Sequence, residues 1–323
     1  MKNKLSKLAV ATLLSLTAVS ANAASYTITQ LGGNDGYAYA MNNVGQAVGH
    51  SSIAHGATIW NGVELTSLGT LGGTFGAAYS INDLGQVVGF TDNALGERRA
   101  ALWTGNGAVA TDLGGGIALG INNAGQIVGE SNGAALWNGG VWTSLGEGAA
   151  TAINNLGQIV GVRNGDAFLW SNGVETDLGA VGAIGGANDI NDLGQIVGRM
   201  NDHATVWNGG VATDLGIGSA FGINNSGQIV GESNNHAIVW NDGVATDLNS
   251  LLDSTALGAG WVLMVARGVN ESGLIVGHGY NNLSGGMVGF VLTPVPEADT
   301  SAMMLMGVGL MGFIVRREKY KFL

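Results

Sequence analysis

The sequence predicts an all-β protein: a seven-bladed β-propeller-like repeat domain closed by its N-terminal strand. Three observations predict it. A motif close to Ile-Asn-x-x-Gly-Gln-Ile-Val-Gly starts at Met41, Ile81, Ile121, Ile153, Ile190, Ile223 and Val269, at intervals of 40, 40, 32, 37, 33 and 46 residues. That spacing belongs to supersecondary repeats. Each copy holds four short strand-forming stretches between turn signals, the content of one propeller blade. The seventh copy lacks the closing segment that ends the others, and a match for it, Tyr26 to Gly32, precedes the first copy. A blade completed from the N-terminus closes the ring and removes the sheet edges an open array would expose. An open β-solenoid, the alternative, needs capping segments that are not seen.

Along the chain, residues 1–23 read as a secretory signal peptide. Lys2, Lys4 and Lys7 precede an apolar run from Leu8 to Val19, and Ala21-Asn22-Ala23 supplies the small-x-small cleavage pattern. The repeat domain spans 24–294. Within each copy an alanine stands three residues before the motif, at Ala38, Ala78, Ala118, Ala150, Ala187, Ala220 and Ala266. This small residue is expected on the crowded innermost strand, around the axis. Asn-x-x-Gly is turn chemistry, because Asn and Gly tolerate positive φ, and Gln-Ile-Val-Gly favours a strand. Ala-x-x-Trp follows, ending at Trp60, Trp103, Trp137, Trp170, Trp207 and Trp240, often with Asn-Gly or Gly-Gly after it, a hairpin signal. Thr-Asp-Leu-Gly or a relative closes the copy. The tryptophans and these leucines are expected between neighbouring sheets, each ring hiding on the order of 150–250 Å². Residues 249–265 form an insertion before the seventh copy, expected as a hydrophobic loop or an extra strand, a loop packed on one face being the plain reading.

The chain ends in a tail, 295–323. Val295-Pro296-Glu297-Ala298 precedes an apolar stretch, 301–315, expected to be a short transmembrane helix, and then Arg316, Arg317, Lys319 and Lys321. The basic cluster would hold its end on the cytoplasmic side. Motif, apolar segment and basic end, in that order, resemble the PEP-CTERM sorting tail of exported proteins from exopolysaccharide-producing Gram-negative bacteria, although Ala298 replaces the usual second proline. The resemblance implies an exosortase-type enzyme as partner, transient inner-membrane insertion through the tail, and a final place at the cell surface or in the extracellular matrix. The repeat resembles the extracellular HAF repeat: His203-Ala204 and His236-Ala237 keep its first two letters, and Ala167-Phe168-Leu169-Trp170 its last part. That family implies an exported surface or matrix protein and brings no activity with it.

Between Ala24 and Val295 the chain keeps five arginines, no lysine and 20 acids, a net −15. Such a surface repels polyanions and argues against nucleic acid as a partner. With no cysteine, an exported fold must be held by packing alone. Asp112, Asp177, Asp214 and Asp247 recur in the closing strands and are expected to serve turns and solubility. Asn82-Asp83 and Asn191-Asp192 sit in turns without the dense oxygen ligands of a calcium loop. The five histidines lack zinc spacing, and His203 and His236, at equivalent positions, are expected to form structural hydrogen bonds. No cofactor motif is present.

A site is a local exception on a repetitive scaffold. The residues after each Val-Gly step are such exceptions: His50, Phe90, Glu130, Val162, Arg199, Glu232 and His278. Equivalent blades place them on one rim, where all but Val162 are candidates for ligand binding. A tolerant surface row is the plainer account of the same residues. The reading is a non-catalytic exported protein that binds exopolysaccharide or a protein partner. The alternative is an exported polysaccharide hydrolase or lyase using Glu130, Glu232 or His278 as acid–base groups, which would require carboxylates gathered within about 5–10 Å.

Overall fold

The computed structural model describes residues 25–32, 35–54, 56–105, 109–180, 185–282 and 284–295. The signal peptide, the 301–315 segment, Pro296, Glu297, Arg316, Arg317 and His55 lie outside the described residues. Among the described residues no helix is long and apolar enough to cross a membrane.

Seven four-stranded antiparallel sheets follow one another as a seven-bladed β-propeller. Six of them use four consecutive strands of one copy, in spatial order one to four from the axis outward. The seventh is completed by Tyr26–Gln30, which pairs antiparallel with Met287–Pro294 from Tyr26↔Pro294 to Gln30↔Phe290. The two chain ends therefore meet: the Val295 N–H donates to the Ser25 carbonyl at 2.8 Å.

Each Asn-x-x-Gly turn closes on itself and on the next blade. In blade four, the Asn154 carboxamide oxygen accepts from the Gln158 N–H at 2.9 Å, and Nδ2 donates to Gln158 Oε1 and to the Asn191 carbonyl of blade five. The same inter-blade bond runs from Asn42 through Asn82, Asn122, Asn154, Asn191 and Asn224 to Asn270, and from Asn270 back to Asn42, at 3.0–3.2 Å. A second closed circle lies one residue outward. The N–H groups of Asn43, Asp83, Asn123, Asn155, Asp192, Asn225 and Glu271 each donate to the side chain of the next, the last returning to Asn43. These two rings define the turn face of the disc.

Between blades the core is apolar. Trp60, Trp103, Trp207 and Trp240 are fully buried, and each indole N–H donates to a carbonyl near the end of the preceding blade: Gly32, Gly69, Leu178 and Leu215. The Gly32 bond makes the N-terminal strand equivalent to the closing strands of blades one, two, four and five. In blade three, Trp142 makes this bond, to Leu113, while Trp137 and Trp170 are half-buried.

The seven alanines are all inaccessible, but they do not face the axis. They pack between blades, Ala38 with Leu31 and Trp60, Ala220 with Trp240. The register of strand one shifts immediately after each alanine, so the following residue is extra to the ladder. This β-bulge turns that residue inward. The insertion also departs from expectation. It forms a short 3-10 turn, Leu248–Leu251, and a helical turn, Ser254–Gly258, and its Leu252, Ala256 and Trp261 join Tyr26 and Phe290 in the core of blade seven. Copy seven has Leu292 where the others have tryptophan, and Trp261 brings an indole to that blade, edge-on to Phe290 at 6.4 Å.

Candidate ligand-binding face and channel

A channel runs along the axis, and its wall is built in layers, because strand one of every blade descends it in the same register. The first layer, at the face opposite the turns, consists of the bulged residues: Tyr39, Tyr79, Leu119, Thr151, Asn188, Phe221 and Arg267. They surround a mouth of about 370 Å³. Below them come small residues, among them Ala40, Ser80, Gly120, Ala152 and Gly268, interrupted by Asp189. A collar of Met41, Ile81, Ile121, Ile153, Ile190, Ile223 and Val269 follows, and the asparagine rings line the far opening.

The bulged layer is where the copies differ most, and it is not uniform around the ring. Tyr39 and Tyr79 lean together with centroids 5.5 Å apart. Thr151 donates to the Ala187 carbonyl at 2.6 Å, and the Asn188 Nδ2 to that of Ala220 at 2.8 Å, fixing both side chains in the wall. Arg267 lies over the Phe221 ring, 4.2 Å from its centroid. It is the one cation of the layer, its Nε is buried without a hydrogen-bond partner, and no ion pair reaches it within 4 Å among the described residues. Burial lowers its pKa, while Tyr39 and the nearby Glu232 carboxylate work the other way.

The rim residues read from the sequence lie at the end of strand two, on this same face. His278 is buried edge-on to Tyr37 at 4.9 Å, its Nδ1 unpartnered. Burial, and then the neighbouring Arg267 charge, bring its pKa down to about 4, so it is neutral. Phe90 is buried beneath Phe75 and Tyr79, at 5.7 and 5.9 Å, with Arg98 stacked on its ring. His50 packs on Phe75 at 5.3 Å. Together with Tyr37 and Tyr39, at 6.4 Å, these rings form one aromatic run from blade seven across blades one and two. Phe75 is 43% exposed at its edge. The other three candidates are not drawn in: Glu130 is exposed, Arg199 pairs with Asp202, and Glu232 faces Arg267 electrostatically. Glycine-rich loops do not announce Phe75, Tyr37 or the bulged layer. The available signal was variability immediately after an invariant alanine.

Asp189 is the other exception in the channel. Its carboxylate accepts from the Ile190 and Ile223 N–H groups at 2.9 and 3.0 Å. Burial outweighs those bonds and pushes its pKa up to about 7.

His203, His236 and the recurrent aspartates are engaged in ion pairs and turns. His203 and His236 pair with Asp214 and Asp247 at 2.8 and 2.6 Å, and Arg99 with Asp112 at 3.0 Å. Asp112, Asp177, Asp214 and Asp247 also each accept a backbone N–H two residues on. Asp83, although burial opposes its charge, is held below the usual carboxylate range by hydrogen bonds from Asn43 and Asn123. Among the described residues no three metal-binding side chains converge.

The fold and its layered channel define the class of protein: a seven-bladed propeller with an aromatic face. Residues 294–318 match the family model described as the PEP-CTERM protein-sorting motif, which indicates an exported protein recognised by an exosortase. No curated protein matches the chain significantly.

Proposed function

We propose that this is a non-catalytic surface or matrix protein of the HAF-repeat kind, whose propeller binds extracellular polysaccharide through the aromatic face. The observation that carries the reading is the continuous run of rings from His278 through Tyr37, Tyr39 and Tyr79 to Phe90, Phe75 and His50, in which buried His278 and Phe90 back the accessible Tyr37, Tyr39, Tyr79, Phe75 and His50. Flat apolar rings bearing polar tips suit the faces and hydroxyls of pyranose rings. The place where the last described residues lie agrees with it. Pro294 lies beside the Gly273 turn, at the turn face, so a protein held through the sorting motif that begins at residue 294 would keep the aromatic face free.

Gel retardation of the secreted protein in soluble neutral polysaccharides (dextran, mannan, a mixed-linkage glucan) tests this. Retardation is expected in at least one, and Tyr37→Ala with Phe75→Ala should weaken it about tenfold, the equivalent of 1.4 kcal/mol, while leaving thermal stability close to that of the parent. Glu130→Gln and Glu232→Gln should leave the retardation unchanged, and no reducing ends should be released. Mobility unaffected by every polymer, or release of reducing ends that Glu130→Gln abolishes, would reject the reading.

A further inference from the structure

The mouth of the channel carries an arrangement that polymer stacking on the outer face does not use. Its wall has three different arcs. Tyr39 and Tyr79 offer ring surface, Thr151 and Asn188 offer oxygens whose companion donors are already tied to the wall, and Arg267 offers a guanidinium backed by Phe221. The guanidinium is the informative group. Arg267 is half-buried, with its Nε inaccessible and unpartnered, and a partly desolvated cation without a close counter-ion is costly; Glu232, the acid that favours its charge, is not within ion-pair distance of it. The six other positions of this layer carry no charge, so nothing in the repeat requires an arginine there. Its forked donors match a carboxylate. The mouth, about 370 Å³, lies at the small end of ligand pockets. Below it the collar of Met41, five isoleucines and Val269 makes the channel wall apolar.

We propose that the channel mouth is a binding site for a single sugar-acid unit, with its carboxylate on Arg267, its ring against Tyr39 and Tyr79, and its hydroxyls toward Thr151 and Asn188. The proposal rests on the saccharide-binding reading and deepens it by naming the charged unit recognised. A lone carboxylate also fits the net −15 between Ala24 and Val295, which disfavours a polyanionic chain but acts weakly on one charge at the solvent-open mouth, because exposed charges farther away than about 8–10 Å are screened.

Calorimetric titration of the secreted protein with glucuronate, glucose and acetate tests it. Glucuronate is expected to bind about tenfold or more tightly than glucose, since a charge-assisted pair is added, and acetate, which lacks the ring, should bind more weakly than glucuronate. Arg267→Met should erase the preference for glucuronate over glucose, and Arg267→Lys should keep part of it. Thermal melts establish that each variant is folded, and the wild-type comparison needs no variant. Equal binding of glucose and glucuronate, or a preference that survives in folded Arg267→Met, overturns the proposal. Retardation by neutral polymers together with no binding of glucuronate overturns the mouth site alone. Glucuronate binding without any retardation supports the mouth site and removes the polymer-binding face instead.

Discussion

Two titratable groups, Asp189 in the channel wall of blade five and the buried His278 of blade seven, pull the stability of this protein in opposite directions. Asp189 holds its proton up to about pH 7 in the folded chain, against an ordinary 3.8. The folded state is then the more protonated one between those values, and the stability this group contributes is complete below 3.8 and lost as pH rises to about 7. The limit is on the order of 4 kcal/mol. His278 does the reverse: with a pKa of about 4 against 6.5, its contribution is complete above 6.5 and lost as pH falls toward 4. From pH 4.5 to 6.5 the two slopes oppose each other. Asp189→Ala, the residue that copies one and four carry at Ala40 and Ala152, is therefore expected to expose the His278 slope. Melting temperature should rise with pH across that window in the variant and stay nearly level in the parent. Parallel curves for the two proteins would show that Asp189 carries no extra proton in the fold.

At the scale of the element, the glycine of each Val-Gly step has a defined steric role. In blade three a Cβ on Gly129 would stand 2.0 Å from the Ile117 carbonyl oxygen and 3.0 Å from the Ala118 Cα. The bulge after Ala118 brings strand one that close, and the same approach recurs at Gly49, Gly89, Gly161, Gly198, Gly231 and Gly277. The glycine permits the bulge, and the bulge turns residue 119 into the channel. Gly129→Ala must displace backbone rather than a flexible side chain, so a loss of about 3 kcal/mol or more is expected. Gly115→Ala, where a Cβ meets nothing within 4 Å, should change stability by less than about 0.5 kcal/mol. Chemical denaturation of the two variants distinguishes them, and equal midpoints would remove the steric account.

For the whole molecule, closure is the main requirement. The asparagine ring passes through all seven turns and returns to its start, so every blade depends on both neighbours. Each of its bonds is worth about 1 kcal/mol net, and more when a buried partner is left unpaired. The seam between the chain ends is closed by Tyr26–Gln30, with Tyr26 and Leu31 buried beside it. A secreted variant lacking residues 26–32 is expected to melt at least several degrees lower and to associate through the uncovered edge of Met287–Pro294. A synthetic peptide of residues 24–32 added in trans should reverse both, read by melting temperature and light scattering. An unchanged melt would mean that blade seven does not need the strand.

The blade count, the turn that ends strand one, the tryptophan seams and the N-terminal closing strand were all legible in the linear order. Each rests on local chemistry repeated seven times: positive φ at Gly, β-branched runs, and a missing segment found at the other end. That His203 and His236 form structural hydrogen bonds was legible from their equivalent positions, but their partners Asp214 and Asp247 were not, since those acids read only as turn residues. The channel lining was not. Alternation alone places the alanines toward the axis, but a bulge shifts the register by one residue and exchanges the faces, so Ala38 enters the seam and Tyr39 the channel. Nor does sequence order bring Tyr37 to His278 or Phe90 to Phe75, because those contacts cross between blades or over loops of unequal length. The repeat, the number of blades and the way the ring shuts follow from local preference and periodicity, and so they are written in the linear order of residues. Which side chains share the channel mouth depends on bulge geometry and on the ring bringing residues 39 and 267 to one axis, and so it emerges only in the folded molecule.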